Sequence, residues 1–200
     1  MYRPSRGECS IIDVRVVEST YQIDSAKLPY FGAFCSFQQL TGRDLVHDPI
    51  PYFEHIIYGI ENGYQHFFRR MPCDVEAYRL LCDTLDFLGV DVLGGKDLRA
   101  IYGELKRWKK SRTPIWRQPR DPNLSESRNT AFFLVYLFLI GDFNAPDYAG
   151  RVSNFAFQVA RQVQINHSVF DDPTRMMVKQ AFLERFDPTI SQQYDLDLGV

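Results

Sequence analysis

Residues 74–90 of this chain, Asp-Val-Glu-Ala-Tyr-Arg-Leu-Leu-Cys-Asp-Thr-Leu-Asp-Phe-Leu-Gly-Val, carry a helix start, an apolar stripe and a helix stop that agree with one another. Asp74 reads as an N-cap, because its carboxylate can accept from the unpaired N–H groups of a first helical turn. Val75, Tyr78, Leu81, Cys82, Leu85 and Leu88 then recur at helical spacing. Gly89 followed by Val90 has the form of a left-handed glycine stop whose next residue packs back on the last turn. A helix with one apolar face must find a core to cover it, so the rest of the chain has to supply one. Asp91 ahead of Val92 and Leu93 predicts the start of a second, very short helix. No catalytic pattern occurs in this stretch, which reads as built to pack and to present a surface.

The segments on either side predict a fold of α+β class. From Ile11 the alternation Ile-Ile-Asp-Val-Arg-Val-Val-Glu predicts a strand, and Ser19-Thr20 followed by Tyr21-Gln22-Ile23 its hairpin return. Asp24 to Leu28 predicts a helix that Pro29 breaks. Leu45 and Val46 predict a third short strand, halted by Asp48-Pro49-Ile50-Pro51. A helix from Tyr52 turns Phe53, Ile56, Ile57 and Ile60 inward until Asn62-Gly63 stops or bends it, and Tyr64, Phe67 and Phe68 continue an aromatic stretch to Pro72. After Gly94-Gly95 a helix over 96–110 has Leu98, Ile101, Leu105 and Trp108 on one face. Helices follow over 126–140 and 152–165, the latter with Val152, Phe155, Val159 and Val163 inward. The last has Asp172 as N-cap and Pro173 at its first position, and buries Met176, Val178, Ala181, Phe182 and Phe186. Residues 1–8 read as a polar lead and 189–200 as a tail. The expected organisation is an α+β domain over 1–95 with a short three-stranded sheet, then an all-helical domain over 96–200.

Composition narrows the function. With 45% hydrophobic and 14% aromatic residues in 200, the chain can bury a sizeable core, and a net charge of −2 gives no global pull toward nucleic acid or anionic membrane. The longest apolar run, Ala131–Ile140, is half the length of about twenty that a membrane span needs, so a core helix and no membrane association are expected. Cys9, Cys35, Cys73 and Cys82 form no CxxC, and the amino end carries no signal-peptide pattern, which predicts reduced thiols in an intracellular protein, cytoplasmic or nuclear. His47, His55, His66 and His167 lack zinc-ligand spacing. No nucleophile elbow or glycine-rich phosphate loop occurs. Neither enzyme activity, nor a cofactor, nor a metal is expected.

Two motifs in the first half carry a family resemblance. Asp48-Pro49-Ile50-Pro51-Tyr52-Phe53-Glu54 leads into a helix containing Tyr58-Gly59, and Leu81 to Leu93 has the spacing Leu-x-x-x-Leu-x-Phe-Leu-x-Val-x-Val-Leu. With the element order above, these make residues 1–95 resemble the BTB/POZ family of interaction domains. Ile23 to Phe31 keeps the Tyr-Phe of the family's first helical motif but is shorter and lacks its histidine. The resemblance implies a protein-protein interaction module used for self-assembly, for docking to cullin-type ubiquitin ligases, or for scaffolding. A family-typical cullin contact uses a hydrophobic-x-Glu motif, which Gln38 to Asp44 does not supply.

The candidate partner-binding residues are Tyr64, Phe67 and Phe68 of the aromatic stretch and Lys106, Arg107, Lys109, Lys110 and Arg112 of a basic, proline-rich segment over 106–120. The apolar run Ala131–Ile140 is a further place to look for an exposed patch. The expected function is a non-enzymatic adaptor, scaffold or assembly subunit acting through a protein partner or a second copy. The alternative is a nucleic-acid-associated protein that uses the basic segment, since cations beside Trp108 and Trp116 can hold single strands by charge and stacking.

Overall fold

The computed structural model describes residues 11–42, 44–107, 122–143 and 152–197. The polar lead over 1–8 and the basic segment from Trp108 to Arg120 lie outside these residues. Strands β1 (Ile11–Val16) and β2 (Ser19–Asp24) pair antiparallel, and β3 (Val46–His47) joins the other edge of β1 in parallel, giving the order β2-β1-β3. Alternation turns Val14, Val16 and Ile23 into the core. The hairpin holds Val17 at φ 57°, left-handed backbone that a β-branched residue seldom adopts.

Helix α1 (Pro29–Thr41) begins where the sequence predicted a break. Residues 25–27 form a turn on Asp24, whose carboxylate accepts from the Ala26 N–H at 2.9 Å and whose carbonyl accepts from Lys27 and Leu28. Pro29 then takes the first helical position, where a missing N–H costs nothing. Helix α2 (Phe53–Asn62) stops at Gly63, and the aromatic stretch forms a separate 3-10 turn (Tyr64–His66) and helix α3 (Phe67–Arg70).

Helix α4 (Val75–Phe87) has the predicted ends. Asp74 accepts from the Glu76 N–H at 3.2 Å. Gly89, at φ 70°, donates to Asp86 O at 2.9 Å and Val90 donates to Leu85 O at 3.0 Å, the paired bonds of a glycine stop. The short helix expected after Asp91 is a turn instead: the carboxylate accepts from the Gly94 N–H at 2.8 Å and closes the chain on itself.

Past the double glycine come α5 (Leu98–Arg107), α6 (Pro122–Ile140), α7 (Val152–Gln164), α8 (Asp172–Arg185) and α9 (Ile190–Asp197). Helix α6 is the axis of the molecule. It packs against α4, α5, α8 and the 3-10 turn, so Phe132, Leu134, Val135, Phe138 and Leu139 are all buried although they point in different directions around the helix. The Phe132 ring lies 5.5 Å from Tyr64, 4.8 Å from Phe67 and 5.9 Å from Phe68. Asn129 of α6 also accepts from the Gln65 N–H at 2.8 Å. Gly94 and Gly95 do lie in a turn, but the segments on either side contribute to one continuous hydrophobic cluster from Val14 to Leu196.

Two details near the carboxyl end differ from expectation. The cap of α8 is Asp171, which accepts from Thr174, and Pro173 sits in the first turn. Met177, which shares a helical face with Val178, Ala181 and Phe182, is buried, whereas the expected Met176 is on the outside. The expected tail contains α9, opened by a reciprocal pair in which Gln192 N–H donates to Thr189 Oγ1 and Thr189 N–H to Gln192 Oε1. Leu196 anchors α9 in the core.

Close packing yields a first prediction. A Cβ at Gly59 would stand 2.3 Å from Cζ of the buried Phe67 ring, and that ring is held on its other side by Phe132. Gly59→Ala is expected to destabilise by about 1–3 kcal/mol through overpacking, despite the better helix propensity of alanine. Urea unfolding checks it; a stability gain would show that Phe67 has room to move.

Candidate interaction surface

The aromatic residues expected at a partner surface are internal. Phe67 and Phe68 are buried, and Tyr64 is partly buried with its ring stacked on Phe132. Burial, with a smaller contribution from Asp91, pushes the Tyr64 phenol up to about 12. The apolar run of α6 is turned inward as well, so neither provides an exposed patch; each covers the other. Lys106 and Arg107 end α5 in exposed positions, with the Lys106 ammonium 4.3 Å over the Tyr102 ring. Lys109, Lys110 and Arg112 lie outside the described residues. The aromatic and basic candidates therefore form no common surface among the described residues.

A different apolar surface is exposed. The 13 residues of α1 contain no charged side chain, and its polar residues are confined to Tyr30, Ser36, Gln38, Gln39 and Thr41. Phe31 and Cys35 turn inward, whereas Phe37 and Leu40 are 60% and 87% exposed. Tyr30 and Phe34, half-buried on the same helix, flank His47 of β3 with ring separations of 5.5 and 5.1 Å. In the neutral imidazole, Nδ1–H donates to the Asp48 carbonyl at 2.7 Å and Nε2 accepts from the Tyr30 hydroxyl at 2.7 Å, which fixes the ring. Burial raises the Tyr30 pKa, keeping the phenol protonated and able to donate.

Helix α4 completes this face. Leu81, Leu85 and Leu88 point to the core, and Leu80 and Phe87 point away from it; Phe87 is 54% exposed and lies 4.5 Å from Tyr30. Between them His47, Pro49, Ile50, Pro51, Thr84 and Phe87 line a shallow, solvent-open hollow of about 300 Å³, with Asp83 at its side. The walls are held by a strand end, a double-proline loop and the best-bounded helix of the chain. This arrangement can take an apolar side chain and flank it with a carboxylate.

The sequence pattern places Tyr30 and Phe87 in family motifs and gives His47 no zinc-ligand spacing, but it marks none of Tyr30, Phe34, His47 or Phe87 as partner-binding. The signal available was negative: a helix without charge, and a phenylalanine outside the apolar stripe of α4. Among the described residues no group of three or more His, Cys, Asp or Glu side chains is placed to hold a metal ion, and no helix is long and apolar enough to cross a membrane.

Comparison with known proteins returned no match: no family model, no curated protein and no solved structure is significantly similar to this chain.

Proposed function

We propose that this chain is a non-enzymatic interaction module of BTB/POZ type, acting as an adaptor, scaffold or assembly subunit through the face formed by α1, β3 and α4. The observation that carries the reading is Phe87, an exposed aromatic ring beside a preformed hollow and continuous with the uncharged outer side of α1. Large apolar side chains clustered on a surface lose hydration cost when a partner covers them. The face is also prepared for binding, since the His47 and Tyr30 rings are hydrogen-bonded in place and little side-chain entropy remains to be lost. The resemblance of residues 48–59 and 81–93 to the BTB/POZ motifs supports the same class, with recruitment to a cullin-type ligase as one use of such a module.

Phe87→Asp tests it. The substitution is on the surface, so the unfolding midpoint should move by less than about 1 kcal/mol equivalent. Self-association measured by sedimentation, or recovery of a partner from native extract, should fall more than about tenfold, as for an interface centre. An unchanged assembly, or a wild-type chain that stays monomeric and recovers no partner, overturns the reading. Salt-sensitive binding of single-stranded RNA, lost when Lys106 and Arg107 are neutralised, would put the basic segment in its place.

A further inference from the structure

A second hollow, of about 530 Å³, lies between the hairpin turn of the sheet and the amino end of α2. It shares Pro49 and Ile50 with the first hollow, so that loop is a ridge with a depression on each side. Its walls are of a different character. Tyr21 and Tyr52, both half-buried, supply aromatic surface, and the Tyr21 ring stands edge-on at 5.0 Å to the buried Phe53 at the base of the hollow. Glu18 and Glu54 supply two carboxylates, and Glu54 accepts from the Tyr21 hydroxyl at 3.2 Å. Neither carboxylate forms an ion pair with any described residue. The chain from Asp44 to Phe68 contains no lysine or arginine that could neutralise them.

We propose that this hollow binds a cationic side chain, a guanidinium in particular, carried by an extended segment of a partner protein. Aromatic faces attract a cation through the ring quadrupole, and a carboxylate beside them accepts its N–H donors. A guanidinium suits both, because it is flat enough to lie on a ring and less strongly hydrated than an ammonium. The opposite choice, an anion at the amino end of α2, is disfavoured because Glu54 in the first turn already places a carboxylate there and Glu18 adds another. His55 also lines the hollow, its ring 5.9 Å from Tyr52. That the cation belongs to a protein rests on the interaction reading above. The segment would cross the Pro49–Ile50 ridge, with an apolar residue in one depression and the cation in the other.

The test uses the side chain alone, so its failure is separable from failure of the Phe87 face. The full chain is titrated with N-acetylarginine amide while amide resonances are recorded, with N-acetylcitrulline amide as the uncharged counterpart. Saturable shifts are expected at residues 16–21 and 49–55 with arginine and not with citrulline. Glu54→Gln should weaken the affinity by about fivefold, and Glu18→Gln with Glu54→Gln by about tenfold or more, with unfolding midpoints retained. The absence of saturable shifts, equal binding of citrulline, or larger shifts at residues 53–55 with inorganic phosphate than with arginine would each overturn the proposal.

Discussion

Phe132→Ala is expected to lower the unfolding free energy by about 3–5 kcal/mol, the range for removing a large buried aromatic side chain. Phe132 is 0% exposed and touches three rings from the first half of the chain. Truncation leaves Tyr64, Phe67 and Phe68 facing a void that they can fill only by moving α3 and the 3-10 turn toward α6. Because the cluster runs unbroken from Val14 to Leu196, the loss should appear as one shifted transition, with tyrosine and backbone signals coinciding. Two separate transitions in urea, the first belonging to residues beyond the double glycine, would show instead that the halves are independent.

The second large effect is expected at Asp171. Its carboxylate caps α8 through the Thr174 N–H and also faces Arg128, whose guanidinium is buried on α6 with Nη2 3.6 Å from Asp171 Oδ2. Arg128 Nε and Nη2 have no hydrogen-bond acceptor among the described residues. Burial lowers the Arg128 pKa, and Asp171 is the counter-charge that opposes this. Asp171→Ala removes a cap and strands a buried cation, so a loss of about 2–4 kcal/mol is expected. Arg128→Met removes the cation itself and should cost less than Asp171→Ala. Restoring stability to Asp171→Ala by adding Arg128→Met would establish the order; a double variant worse than either single one would refute it.

The sequence was most legible where local chemistry decides the outcome. Asp74 and Gly89 fix both ends of α4 through bonds within a few residues, and Val14, Val16 and Ile23 show their burial by simple alternation. It misled where a signal had two local meanings. Pro29 can stop a helix or open one, and the turn on Asp24 settled which. Two successive aspartates precede Pro173, and the one that caps, Asp171, is identified by its bond from the Thr174 N–H. The candidate surface was hidden for a related reason: Phe67, Phe68 and Phe87 are alike in sequence, and whether a ring faces solvent depends on α6, which lies about fifty residues further along. The basic segment was conspicuous by charge, yet charge says nothing about what it stands beside.

The central position of α6 also governs the order in which the protein can mature on the ribosome. When the first hundred residues have emerged, the sheet and α1 to α4 can form their local contacts, with Phe68 stacked on Tyr78 and Phe67 against Gly59, but the side of Tyr64, Phe67 and Phe68 that meets Phe132 stays open until α6 follows. The nascent chain therefore presents an aromatic surface for the time needed to synthesise the stretch between them, a few seconds at about 5–20 residues per second. Chaperone capture or premature association during that interval is expected to involve the rings of α3 rather than the exposed Phe87, so substitutions in α6 should lower yield in cells as well as the stability of the finished molecule.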